Sequence, residues 1–288
     1  MIINTNMEIE EHIADIDGVP TRYLSVGSGP ALILLHGIGD SASDWQWVMR
    51  KLSGCWRIFA PDMPFTTGVD GAPDGFTPES LTLFVLSILR TVRIARAVVV
   101  GHCAGGIAAI RLALDKPELV RALVIMDSIG LGREIHPAVI MESAPVLGDL
   151  VIRFARSPVG SLQRALYRSS LLFSRPELIP SRWWTEQYRL ALEPGFLQAT
   201  LHMLRAGTGP FGQKIIFLDR LKELTVPVLV MWGKMDQVVP FFQARDAVGR
   251  LRDGDLTAVS GCGHMPHVET PGLCADHIHR FAYEKARR

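Results

Sequence analysis

The chain has 288 residues, 48% of them hydrophobic and 20% charged, with a formal net charge of +1. That length suits one α/β domain carrying an insertion, and the near-zero charge offers no electrostatic case for nucleic acid or an anionic membrane as partner. The longest apolar runs, "ALILL" at 31–35 and "LTLFVLSIL" at 81–89, fall far short of the ~18 residues a membrane span needs. The start "MIINTNMEIEEH" lacks a signal-peptide pattern, so a cytoplasmic location is expected.

Strands are expected at 10–17, 21–27 and 31–37, with the Gly-rich 27–30 as a turn between the last two. Apolar spacing at Trp45, Val48, Met49 and Leu52 predicts a helix over 44–54, stopped by Gly54. A strand at 56–62 follows, then a helix over 77–94 opened by a cap at Thr77. "RAVVVGH" at 96–102 reads as a strand without polar alternation, which is what a parallel sheet covered on both faces requires. A helix over 105–120 and a strand at 121–128 come next.

The alternation then breaks. From about Leu131 to Gly212 the sequence is helix-like, rich in arginine and aromatics, with no clear strand. It resumes with a strand at 226–236, a helix at 241–252, a strand at 255–261 and a last helix at 271–288. Alternating strands and helices predict a mostly parallel sheet flanked by helices. The core is thus expected from 1–130 and 214–288, with a helical cap at 131–213 inserted after the sixth strand.

Four stretches each follow a predicted strand: "HGIG" at 36–39, "GHCAG" at 101–105, "GKMDQVVP" at 233–240 and "GCGHMPHVETP" at 261–271. Their order resembles the α/β-hydrolase fold superfamily over essentially the whole chain. Cysteine stands at the nucleophile elbow, where serine is usual. After "APD" at 60–62 the chain also departs from the family's Gly-rich turn, with Phe65, Thr66 and Thr67 in a loop that borders the pocket in relatives.

The resemblance implies that Cys103 is the nucleophile, His264 the general base and Asp236 the acid that orients it, in the order expected of the fold. His267 is a rival base, and Asp127 in "IMDSIG" a rival acid. Backbone N–H groups of Ile38 and Ala104 would form the oxyanion hole. His36 is read as supporting that loop and His102 as lying beside the nucleophile. Gly37, His102, Phe65, Trp183 and Trp184 are candidate pocket residues. In the cap, Tyr188, Phe196 and Met203 are compatible with either an aromatic-lined pocket or internal packing, and Arg153, Arg156, Arg164 and Arg168 with a solvated basic face or an anion site.

A thiol has a free pKa of roughly 8.5, so a modest shift yields a thiolate near neutral pH. The reading expected first is hydrolysis of a small hydrophobic ester or thioester through a Cys103 acyl-enzyme. Transfer of the acyl group to a non-water acceptor, cyclisation, a serine hydrolase with its nucleophile replaced, and a non-catalytic ligand-binding member remain alternatives. Relatives that use a nucleophilic aspartate are disfavoured, because position 103 is not aspartate. No metal or organic cofactor is expected. Cys55, Cys103, Cys262 and Cys274 form no C-x-x-C pair and are expected to be free thiols.

Overall fold

The computed structural model describes residues 7–64 and 76–285. The chain opens with β1 (Glu10–Ile16), β2 (Val19–Val26) and β3 (Ala31–Leu35). A 3₁₀ turn at Ala42–Trp45 leads into α1 (Gln46–Leu52). Then come β4 (Arg57–Pro61), α2 (Pro78–Thr91), β5 (Ala97–His102), α3 (Ala104–Asp115) and β6 (Val120–Met126). Five helices follow: α4 (Pro137–Ser143), α5 (Leu147–Ala155), α6 (Pro158–Leu172), α7 (Ser181–Leu192) and α8 (Phe196–Gly207). A small hairpin, β7 (Thr208–Gly209) and β8 (Gly212–Gln213), ends this stretch. The chain finishes with β9 (Val228–Gly233), α9 (Phe242–Val248), β10 (Gly254–Val259), α10 (Pro266–Glu269) and α11 (Pro271–Lys285).

Two boundaries depart from the sequence expectation for local reasons. The helix expected over 105–120 stops at Asp115, because Lys116 precedes Pro117 and is pushed out of the helical region. The insert, expected to lack strands, holds the β7–β8 hairpin, whose turn contains Pro210 and a Gly212 with φ +101°.

The main sheet has the order β1-β2-β4-β3-β5-β6-β9-β10. β1 and β2 pair antiparallel, as do β2 and β4, and the remaining pairs are parallel. Along β5, Val98 and Val100 pack into one apolar layer with α1 and α11, while Ala97 and Val99 pack into the other with α2 and α3. All four are fully buried, which is why this strand shows no polar alternation. Each buried valine contributes about 1.5–3 kcal/mol. Because β3, β5, β6 and β9 are parallel, their carboxyl ends share one edge of the sheet.

The inserted helices are tied to that edge. Arg168 of α6 pairs with Asp40 at 2.6 Å, Ser41 Oγ donates to Glu186 of α7 at 2.7 Å, and His264 N–H donates to the Leu172 carbonyl at 2.7 Å. Among the described residues no helix is long and apolar enough to cross a membrane.

Candidate active site

The turn from β5 into α3 is forced by close packing. A Cβ on Gly101 would lie 2.3 Å from the Gly105 carbonyl oxygen, and one on Gly106 would lie 2.0 Å from Ser128 Oγ. At the apex Cys103 is held at φ +52°, ψ −116°, a strained conformation for a residue with a Cβ. Strain of this kind pushes the side chain out of the turn toward the sheet edge. Cys103 is 7% exposed, lies at the N-terminus of α3, and lines a cavity with Ile38 and His264.

The structure brings His264 and Asp236 to the same place. His264 Nδ1 lies 2.8 Å from Asp236 Oδ2, and the same ring lines the cavity beside Cys103, close enough for the thiol to raise the imidazole pKa. Asp236 Oδ1 accepts from the N–H groups of Val238 at 2.7 Å and Val239 at 3.1 Å, which fixes the carboxylate in the loop after β9. Burial disfavours a charged His264, but Asp236, and then Cys103, outweigh it and hold the imidazole well above its ordinary pKa.

The rivals lie elsewhere. Asp127, at the end of β6, accepts from Gly233 N–H at 2.8 Å. Burial, and then the adjacent Asp236 carboxylate, push its carboxyl well above the usual range. Donor atoms of Asp127, Asp236 and His264 lie within 4.8 Å of one another. Within this group both Asp236 oxygens and His264 Nδ1 are hydrogen-bonded to one another or to the loop after β9, while Asp127 Oδ2 is buried without a hydrogen-bond partner. His267 is buried between Trp45 and His102, at ring-centroid distances of 4.4 and 4.5 Å. Burial, then His264, lower its pKa to about 3.

The loop after β3 sits against the elbow. A Cβ on Gly37 would come within 2.7 Å of Cys103 Cβ. His36 Nε2 accepts from Met63 N–H at 2.8 Å, so Nδ1 carries the hydrogen and donates to the Gly37 carbonyl at 2.9 Å. That neutral tautomer is consistent with the lowering of its pKa by burial. Ala104, the first residue of α3, has an N–H that the helix itself leaves unsatisfied.

The pocket expectations need correction. Trp183 and Trp184 do not line the cavity: Trp183 is fully buried in edge contact with Phe173 and Trp184, at 5.0 and 5.4 Å between ring centroids, packing α7 against the end of α6. His102 lies behind Cys103, its Nε2 donating to the His264 carbonyl at 2.8 Å, and burial, then His267, lower its pKa well below the ordinary value. Gly37 adjoins Cys103 without lining the cavity. Phe65 falls outside the described residues. The four cap arginines do not share a face: Arg153 and Arg156 are exposed, whereas Arg164 and Arg168 turn inward and line the cavity.

The cavity encloses about 520 Å³ and is lined mainly by aliphatic side chains of α4, α5, α6 and α8, including Val139, Ile152, Leu172 and Leu201. Its polar members include Arg164, which donates to Gln187 Oε1 at 3.1 Å and has no carboxylate at hydrogen-bond distance among the described residues. Burial, then Arg168, weaken its hold on the proton, but a guanidinium remains charged at any physiological pH.

Sequence reasoning missed Glu269. Its carboxylate accepts from Gly263 N–H at 2.9 Å and from Ser174, so it holds the loop that carries His264. The available signal was an acidic residue five positions after His264. Cys262 and Cys274 are buried packing residues whose thiols burial pushes up, so neither offers a thiolate.

A protein-family model described as "Alpha/beta hydrolase family" matches residues 32–277. An uncharacterized protein of Mycobacterium tuberculosis is 28% identical over 283 residues, covering 92% of this chain and 79% of that protein. The 2-hydroxy-6-oxo-6-(2'-aminophenyl)hexa-2,4-dienoic acid hydrolase of Metapseudomonas resinovorans is 29% identical over 266 residues, covering 91% of this chain and 87% of that enzyme. Among solved structures, a meta-cleavage product hydrolase from Pseudomonas fluorescens IP01 superposes with a TM-score of 0.78 at 22% identity, covering 95% and 97% of the two chains.

Proposed function

Because the chain belongs to the alpha/beta hydrolase family, we propose that it hydrolyses an ester or thioester of a small hydrophobic acid through a covalent intermediate on Cys103. The observation that carries this reading is the strained Cys103 in one cavity with a His264 ring whose Nδ1 meets Asp236 at 2.8 Å. His264 takes the thiol proton as Sγ attacks the substrate carbonyl. N–H groups of Ile38 and Ala104 stabilise the resulting oxyanion. His264 then gives the proton to the leaving alkoxide or thiolate, leaving a thioester on Cys103. Water, deprotonated by the same ring, attacks that thioester and releases the carboxylic acid and the thiol. The aliphatic cavity supports an apolar acyl group.

A second reading, hydrolysis of a carbon–carbon bond in an oxo-dienoic acid, is favoured by the named activity of the Metapseudomonas relative and by the Arg164 guanidinium in the cavity. Intact-protein mass and product release, followed together with activated acyl esters, acyl thioesters and an oxo-dienoic acid, test both. A transient adduct on Cys103 with steady acid release from the esters is the expected result. An adduct that clears only when an alcohol, amine or thiol is added makes the protein an acyltransferase. Fast turnover of Cys103→Ser beside a stalled adduct on Cys103 marks a serine-type site, and turnover of the oxo-dienoic acid alone selects the second reading.

A further inference from the structure

Helices α5 and α6 distribute their side chains in reverse of a soluble helix pair. α6 turns Gly160, Ser161, Ala165 and Ser169 inward and leaves Val159, Leu162 and Leu166, spaced i, i+3, i+7, on its exposed face. α5 does the same: Gly148 and Ala155 are buried, while Leu147, Leu150, Val151 and Phe154, spaced i, i+3, i+4, i+7, are exposed. The exposures are large, 59% for Leu150, 51% for Phe154 and 70% for Val159. Isolated exposed aliphatics are ordinary, but exposed apolar faces on two successive helices mark an interaction surface. The segment is also held in place, since Arg205 of α8 clamps Asp149 at 2.8 Å and the Ser143 carbonyl at 3.2 Å.

Charge selects the partner. Arg153 and Arg156 are exposed on this segment, and its exposed carboxylate, Asp149, is neutralised by Arg205. Glu142 is turned into the cavity beside Tyr167. An apolar helical face flanked by arginines is what an anionic lipid interface accommodates. A contact between two copies through this face would cover the cavity rim, because Leu150, Val151 and Phe154 are both exposed and cavity-lining. We propose that the exposed face of α5 and α6 docks on an anionic lipid surface, with the rim of the active-site cavity turned toward the bilayer. If the acyl-hydrolase reading above holds, an acyl chain would enter the cavity from the bilayer without crossing water. The near-neutral charge of the whole chain conceals this local arrangement.

Co-sedimentation with phosphatidylcholine vesicles, with and without phosphatidylglycerol, tests the docking independently of catalysis. The full chain should sediment with the anionic vesicles, and Cys103→Ala should sediment equally. Val159→Glu with Leu162→Glu, both outside the cavity lining, should abolish sedimentation while keeping the thermal midpoint. Arg153→Gln with Arg156→Gln should weaken it by about fivefold per arginine and remove the preference for anionic vesicles. A protein that stays in the supernatant with both compositions, or sediments regardless of the glutamates, overturns the proposal. So does a dimer, seen by light scattering, that the glutamates dissociate.

Discussion

Strand β5 and helix α6 are both rich in aliphatic residues and place them oppositely. Val98, Val99 and Val100 of β5 are fully buried, because the centre of a parallel sheet is covered on both faces. In α6 the small residues are buried, and Val159, Leu162 and Leu166 face outward. The sheet spends its hydrophobic residues on stability and on holding Cys103, Asp236 and His264 in register. The insert spends part of its own on a surface. A substitution should therefore act on chemistry when it falls at the sheet edge, and on access or docking when it falls on the outer face of the insert.

The largest effect tests the sheet side of this contrast. Cys103→Ala should reduce covalent turnover by at least about 10⁴-fold, read by acyl release and by loss of the mass adduct. Full activity in that variant would remove Cys103 from the chemistry.

Asp236→Asn should cost about 10²–10⁴-fold in kcat. It should also change the pH dependence of stability. The raised pKa of His264 contributes stability that is fully present below about pH 6.5, its unfolded value, and is lost as pH rises through the higher folded value. Thermal midpoints across the neutral-to-alkaline range should fall in the native chain and stay flatter in Asp236→Asn.

A third substitution probes the junction between the two regions. Arg168→Met removes the 2.6 Å ion pair with the buried Asp40 carboxylate and should cost about 1.5–3 kcal/mol in chemical denaturation. A cost below about 1 kcal/mol would mean that the junction behaves like a surface ion pair.

The smallest expected effect sharpens the assignment of the acid. Asp127→Asn keeps the acceptor for Gly233 N–H and replaces a carboxyl whose burial favours its neutral form, so kcat should stay within about threefold. A loss as deep as that of Asp236→Asn would transfer the orienting role to Asp127.

Residues whose role is set by backbone chemistry were readable from the sequence. The glycines flanking Cys103 announce a turn with no room for side chains, and the valine run before it announces a strand buried on both faces. Asp236 and His264 stand out by following strands whose ends converge. Trp183 was misread as a pocket residue, because an aromatic on a helix reads the same whether it faces a cavity or a neighbouring helix. The separation of Arg164 and Arg168 from Arg153 and Arg156 was likewise hidden, since all four lie on or at the end of two successive helices whose rotations are set by packing. Glu269 escaped notice because its importance lies in hydrogen bonds to Gly263 and Ser174, and Ser174 is 95 residues away.

The sequence by itself determined the order of strands and helices outside the insert, the turn at Cys103 and the identity of the residues that follow each parallel strand. These depend on local sterics, short-range periodicity and the fixed direction of parallel strands. Only the tertiary structure decided which acid meets His264, which arginines enter the cavity and which face of α5 and α6 is left uncovered. Each of those outcomes depends on what lies across a gap from the residue, and a neighbour distant in the chain leaves no periodic trace in the residues beside it.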